Sequence, residues 1–460
     1  MLLCQNALFE FFMRIIEKLI LLLLPYFSPH KINIMKLFLL IPGLLLSLST
    51  FAQSYRFDFT DSKNSKQENN YIKVSSKDTY TPEKGYGFDF QDGATSGANQ
   101  PFFFSVNLPD GNYLVTAVIG NEKKASETTL RAESRRLFVE NEPTKKGEFK
   151  TYKFAVNKYS NEIREGDSIK YIKGGSRNKL NWDNKLTLEF NGESPQLAYL
   201  EIERVDDIPT VFISGDSTVT DYDVEPYASW GQMIPRWFND GIAFANYAES
   251  GARLDSFKER GRWEKILSEV KPGDWVFIEF GHNDQKLSGP GKGAFYFYMY
   301  QLKEYIDEVR SRGAYPVFLT PTRRRYFNDE GKLIDSHEDY PEAMRFIAQR
   351  ENVPLIDLQE MTGTLYETLG VEDSKRAFVQ YPAGTYPGQK DDLKDNTHFN
   401  PYGAYEIAKC VVEGIKQLDL PLTQYIREDY VTYDPAQPDS FASFKWIECP
   451  FIEITKPEGN

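Results

Sequence analysis

Val211-Phe212-Ile213-Ser214-Gly215-Asp216-Ser217-Thr218 runs from a short apolar segment straight into a turn of small and polar residues. The apolar part, Val211–Ser214, reads as a strand. Helical and apolar patterns then alternate along the chain. Ser229–Phe238 has a helical pattern, Phe244–Ala248 is apolar again, and Trp275–Phe280 is a second strong strand. Phe295–Arg312 predicts a long helix with Leu302, Tyr305, Ile306 and Val309 on one stripe. Strand Pro316–Leu319, helix Glu342–Gln349, strand Val353–Asp357 and helix Tyr402–Gln417 complete the series. Strands alternating with helices define an α/β domain built on a doubly wound parallel sheet, a three-layer α/β/α arrangement, over residues 208–425.

Upstream of Ile208-Pro209 the pattern changes. Tyr55–Phe59, Gly85–Phe90, Phe102–Leu108, Tyr113–Ile119, Leu137–Val139, Tyr152–Val156, Leu186–Phe190 and Ala198–Val205 are short apolar or aromatic runs separated by polar turns. Residues 53–207 therefore read as an antiparallel β-sandwich. The turn signal Pro109-Asp110-Gly111-Asn112 predicts a hairpin between the runs on either side of it. The linker Asp206-Asp207-Ile208-Pro209 is very short, so the two domains are expected to pack closely. Residues 426–460 form a less regular C-terminal extension.

Residues 1–52 read as a leader. Within them, residues 35–52 carry Lys36, the apolar run Leu37–Leu48 and the ending Thr50-Phe51-Ala52. That is the pattern of a signal peptide cut after Ala52, which predicts export to the periplasm or beyond the cell and no stable membrane insertion after cleavage. Export permits a disulfide between Cys410 and Cys449, and two separate buried thiols are the alternative. The length of 460 residues fits two domains, and 41% apolar with 15% aromatic residues fits a globular chain. A net charge of −13 argues against a nucleic-acid partner. Oligomeric state is not readable.

Four polar blocks fall where an open α/β sheet collects its ligands. Gly215-Asp216-Ser217-Thr218 follows the first strand. Asn246, Glu249 and Gly251 lie at and after the end of the Phe244 run. Gly281-His282-Asn283-Asp284 follows Trp275–Phe280, and Asp395-Asn396-Thr397-His398 precedes the last helix. A serine hydroxyl needs a base, and His398 can be that base, oriented by Asp395. An oxyanion needs donors, which the N–H groups of Ser217 and Gly251 and the side-chain amide of Asn283 can supply. Of the four histidines only His282 and His398 fall in such blocks, His30 being in the leader and His337 in a charged segment. His282 is expected to contact substrate or to bond within its own loop. Asp216 is expected to tie its loop together. Trp230 and the aromatic run 295–300 are expected in the core, and Arg323-Arg324-Arg325 is expected to be solvated or to meet an acidic sugar.

In order and spacing these blocks resemble the SGNH (GDSL-type) hydrolases. Gly-Asp-Ser-Thr, Gly-His-Asn-Asp and Asp-Asn-Thr-His-Phe-Asn, with Ser229-Trp230-Gly231-Gln232 and Asn246-Tyr247-Ala248-Glu249-Ser250-Gly251, resemble the rhamnogalacturonan acetylesterases in particular. Ala252-Arg253 departs from the pair that commonly follows the glycine of that family. The resemblance covers about Val211 to Gly414, and the front domain resembles galactose-binding-like sandwiches. It implies a secreted serine esterase removing acetyl groups from a pectin-type polysaccharide, with catalytic Ser217, Asp395 and His398 and no metal or cofactor. The alternatives are a lipase- or thioesterase-like hydrolase on the same triad and a non-catalytic carbohydrate-binding protein. A metal site on His282, Asp284 and His398 is possible by residue type.

Overall fold

A computed structural model describes residues 54–61, 70–90, 100–166, 168–173 and 180–457. The expected leader, signal peptide and cleavage site lie outside the described residues.

The α/β part is a parallel sheet of five strands: β13 (Thr210–Gly215), β14 (Ala243–Asn246), β15 (Trp275–Glu279), β16 (Tyr315–Leu319) and β17 (Leu355–Ile356). Their order across the sheet is β14-β13-β15-β16-β17, every pair parallel. The first strand therefore lies inside the sheet, and the chain reverses its winding beside it. That reversal opens a crevice at the carboxyl ends of β13 and β15. Side chains alternate across β13. Val211 and Ile213 enter one core with helices α1 (Trp230–Met233), α6 (Leu358–Asp373) and α7 (Pro401–Gln417). Phe212 enters the other core with α2 (Leu254–Glu259), α3 (Arg262–Glu269), α4 (Met299–Ser311) and α5 (Tyr340–Glu351). Both faces of the sheet are thus covered, as its apolar strands require.

The preceding residues form two facing five-stranded sheets. One has the order β2-β1-β12-β5-β8 and the other β3-β4-β11-β6-β7. The strands are β1 (Ser54–Asp58), β2 (Ile72–Lys73), β3 (Tyr86–Asp89), β4 (Phe102–Asn107), β5 (Gly111–Gly120), β6 (Ser126–Ala132), β7 (Arg136–Thr144), β8 (Phe149–Lys158), β11 (Lys185–Asn191) and β12 (Leu197–Arg204). A separate pair joins β9 (Glu162–Glu165) to β10 (Ser168–Tyr171). All pairings but β1–β2 are antiparallel. The core between the sheets includes Phe57, Phe104, Tyr113, Val115 and Leu188.

The expected hairpin around Pro109–Asn112 does not form. β4 pairs with β3 and β11, whereas β5 pairs with β12 and β8, so the turn carries the chain from one sheet to the other. Its polar groups are drawn to the second sheet: Asp110 accepts from Lys158 and Ser160, and its carbonyl accepts from Arg204. Helices α2, α3 and α6 and strands β2, β6, β9 and β10 carry no expectation from the sequence. The aromatic run at 295–300 differs from the expected core position. Residues 294–298 form a π-helical turn that buries Tyr298 but leaves Phe295 47%, Tyr296 69% and Tyr300 60% exposed. Trp230 is in the core. Cys410 and Cys449 are separate buried thiols in different clusters, with no disulfide.

The C-terminal segment is applied across both parts. Arg131 of β6 donates to the Ile447 carbonyl, and Asn191 of β11 to that of Glu448. Trp446 Nε1 and the Cys449 N–H both donate to Glu225 Oε1 at 3.0 Å.

Candidate active site

Ser217 lies two residues beyond β13. Asp216 shapes the turn, its Oδ1 accepting from the N–H and hydroxyl of Thr218 at 3.0 Å each. His398 is delivered by β19 (Leu393–Phe399), paired with β18 (Phe378–Tyr381) and ending just before α7. The block at 395–398 is therefore strand, and Asn400 rather than Asp395 caps α7, accepting from the Gly403 N–H.

These elements bring the three expected residues into one chain of hydrogen bonds. Ser217 Oγ is 2.9 Å from His398 Nε2, and His398 Nδ1 is 2.7 Å from Asp395 Oδ2. Asp395 Oδ1 accepts from the N–H groups of Thr397 and His398. Burial alone raises this carboxyl, but the bonds and charge of His398 outweigh it and hold Asp395 below the usual carboxylate value. A hydroxyl so placed can pass its proton to the imidazole, while the anionic Asp395 stabilises the imidazolium that results.

Asn283 follows β15. Its Nδ2 donates to the Ala252 carbonyl at 3.1 Å and lies 3.5 Å from Asp216 Oδ2. Its Oδ1 accepts from Lys286 Nζ at 3.1 Å, which fixes which way the amide faces. Gly251 has a φ of 74°, a conformation that favours glycine. The turn that carries it is tied to the first block by the Glu249 N–H, which donates to the Gly215 carbonyl. Gly231 is required by close approach, since a Cβ there would lie 2.4 Å from Asn246 Nδ2 and from the Val219 carbonyl oxygen. Asp284 joins the second and third blocks through the Leu254 N–H. Burial pushes Asp284 up to about 7. Beneath Thr218, burial and the neighbouring Asp216 push Glu279 up to about 8.

His282 is only 2% exposed. Its Nδ1 is 3.0 Å from His337 Nε2, and its Nε2 is 3.3 Å from Thr322 Oγ1. Both ring nitrogens are thus engaged inside the protein, at odds with a direct substrate contact. Burial, with the Arg324 charge nearby, holds both histidines well below the ordinary histidine value, so they form a neutral pair. His337, in its charged segment of sequence, is nonetheless fully buried, and no local signal in the sequence marks it. Arg324 and Arg325 are also buried, at odds with a solvated run. Arg324 Nη2 donates to the His282 carbonyl and Arg325 Nη1 to Asn396 Oδ1. Among the described residues no three His, Cys, Asp or Glu side chains are grouped so as to hold a metal ion, and His282, Asp284 and His398 form no such group.

Beside this chain opens a cleft of about 390 Å³. Lys286, Arg324, Lys394 and Lys456 line it with Tyr326 and Asn396. Lys456 Nζ reaches within 3.9 Å of Asp395 Oδ2. In a chain of net charge −13 this is a local concentration of positive charge.

A buried Ser–His–Asp chain at the winding reversal of a parallel sheet defines an α/β serine hydrolase. Residues 213–405 match the GDSL-like Lipase/Acylhydrolase family. Rhamnogalacturonan acetylesterase RhgT of Bacillus subtilis is 41% identical over 218 residues, 47% of this chain and 93% of its own length. The uncharacterized esterase YxiM of the same organism is 27% identical over 390 residues, 79% of this chain and 91% of its own. The YxiM crystal structure superimposes over 80% of this chain and 99% of that one, at 25% identity and a TM-score of 0.44. The chain belongs to the GDSL-like lipase/acylhydrolase family, within the SGNH hydrolases, and is a serine ester hydrolase. Among the described residues no helix is long and apolar enough to cross a membrane.

Proposed function

We propose that this chain is an exported carbohydrate acetylesterase that removes acetyl groups from an acidic, pectin-type polysaccharide. The observation that carries the reading is the positively charged cleft beside the Ser217–His398–Asp395 chain of hydrogen bonds. The match to RhgT, a rhamnogalacturonan acetylesterase, supports the same substrate class. The signal-like pattern at residues 35–52 supports export.

In this reading Ser217 Oγ attacks the acetyl carbonyl carbon as its proton passes to His398 Nε2. The carbonyl oxygen takes up the electron pair and is met by the N–H groups of Ser217 and Gly251 and by Asn283 Nδ2. As the tetrahedral intermediate collapses, the bond to the sugar oxygen breaks and that oxygen takes the proton from His398, leaving as a hydroxyl. A water then repeats the sequence on the acetyl-serine, releasing acetate and restoring Ser217 and His398. Lys286 keeps the Asn283 amide turned toward the oxyanion, while Lys394 and Lys456 can face a carboxylate on a neighbouring sugar.

The test is acetate release from acetylated rhamnogalacturonan, from neutral acetylated xylan and from a short-chain lipid ester. The acidic polymer should have the highest kcat/KM, and that preference should shrink as salt screens the cleft. Equal kcat/KM on xylan and rhamnogalacturonan at low salt would reject the acidic-substrate reading. Retained turnover in Ser217→Ala would reject the mechanism.

A further inference from the structure

The chain returning from Ser217 runs through residues 219–229 as irregular backbone, almost all of it buried. Buried carbonyls outside helix and sheet need donors from elsewhere. Here the carbonyls of Tyr222, Val224 and Tyr227 find a donor in the N-terminal sandwich, while that of Val219 is served by Ser229 and Asn246 and that of Glu225 by the Glu453 N–H. The turn between β6 and β7, Glu133-Ser134-Arg135-Arg136, projects against this segment. Glu133 and Arg135 hold φ values of 55° and 62°, rarely adopted by residues with a Cβ. Arg135 is fully buried. Its Nη1 lies 3.3, 2.5 and 2.9 Å from the carbonyl oxygens of Tyr222, Val224 and Tyr227, and its Nη2 is 2.8 Å from Glu225 Oε2. Gln232 Nε2 joins the Ser134 carbonyl to that of Tyr222. Arg136 donates to the Phe244 carbonyl of the edge strand β14, and its Nε lies 3.4 Å from Asp221 Oδ2.

The segment so held touches the reacting groups directly. Tyr222 donates its hydroxyl proton to the Ser217 carbonyl oxygen at 2.6 Å. The Tyr227 ring meets the His398 imidazole edge-on, with centroids 5.9 Å apart and an interplanar angle of 81°. We infer that the sandwich is a working part of the active site: its 133–136 turn sets the position of Ser217 and His398 through Tyr222 and Tyr227, with Arg135 as the positioning residue. The inference rests on Ser217 as nucleophile and His398 as base. A guanidinium suits the task because its planar fork serves several carbonyls and a carboxylate at once, where an ammonium is a single point.

The test uses the full chain and a small soluble aryl acetate, which needs no polymer contact. Arg135→Met alone would strand Glu225 as a buried charge, so it is paired with Glu225→Gln. A folded Arg135→Met/Glu225→Gln protein should lose about tenfold or more in kcat with KM within about twofold, because alignment and not binding is lost. Arg135→Lys should fall between it and wild type. Tyr222→Phe, which keeps the ring, should also lower kcat. Combined with the double substitution it should lose less than the product of the separate losses, since both act on one contact chain. Wild-type kcat in the folded double variant, or losses that simply multiply, would overturn the inference. If the double variant does not fold, Tyr222→Phe decides alone, and wild-type kcat there overturns it. Ser217→Ala run alongside tests the nucleophile reading separately.

Discussion

Ser217 is held from two sides, its hydroxyl by His398 and its carbonyl oxygen by Tyr222, so the nucleophile has little freedom to leave its attacking position. Asn283 is held as firmly by Ala252 and Lys286. Asn283→Ala should therefore lower kcat by about two orders of magnitude or more with little change in melting temperature, because one oxyanion donor is removed. Steady-state kinetics beside a thermal melt checks both halves, and an unchanged kcat would remove Asn283 from the oxyanion set. At this scale the blocks 215–218, 246–251, 281–284 and 395–398 are legible in the sequence because each gathers its polar groups within a few positions at a strand end or before a helix. His337, Lys286 and Tyr222 are not. His337 meets His282 across 55 positions of sequence, and nothing local distinguishes it from a surface histidine.

Among the elements, the strands of the parallel sheet are legible because each is a short apolar run bounded by turn residues. Helices α2 and α3 are not, because they are six and eight residues long, too short for periodicity to emerge. Helix α6 has non-helical backbone at Gly370, which interrupts its pattern. The chain crossing at Pro109–Asn112 mimics a hairpin because turn chemistry encodes a reversal but not which sheet receives the next strand. Packing of α7 against the sheet also decides the redox behaviour. Cys410 is fully buried on α7 and Cys449 nearly so in the C-terminal segment, and burial pushes both thiols well up. Cys410 and Cys449 of the native protein should therefore not react with a thiol reagent within minutes, and reductant should leave the melting temperature unchanged. Rapid labelling without denaturant would contradict this packing.

Across the whole molecule, buried ionisable groups set the dependence of stability on pH. Burial pushes Glu133 and Glu279 up to about 8, Asp284 to about 7 and Asp221 to about 6. Groups raised above their unfolded values contribute stability that is full below the unfolded carboxylate value of about 4 and lost progressively as pH rises from there to these values. His282 and His337 are shifted the other way, so their contribution is lost as pH falls below the unfolded histidine value of about 6.5. The melting temperature should then decline from about pH 6 to pH 8, and Glu279→Gln should flatten that decline. A melting temperature still rising from pH 6 to 9 would refute this assignment. The change of pattern at Ile208-Pro209 falls where the sandwich strands give way to the parallel sheet, but the dependence of one part on the other is not legible, because it resides in buried arginines that look like ordinary charges in the sequence. A chain beginning at residue 208 would leave Asp221 and Glu225 without Arg136 and Arg135, at a cost of about 3–5 kcal/mol for each broken buried pair. It should be insoluble or inactive even on a small ester, and full activity of that fragment would show the sandwich to be dispensable. The C-terminal segment extends the same dependence into time. Contacts such as Arg131 with Ile447 span 316 positions, and Glu225 receives two of its donors from residues 446 and 449. Those residues are synthesised after the others of the site, and contacts of such span form late because they close the largest loops. Enzymatic competence is thereby deferred until residues 446–449 have emerged and docked, so a nascent chain already carrying Ser217, Asp395 and His398 is still an unfinished catalyst.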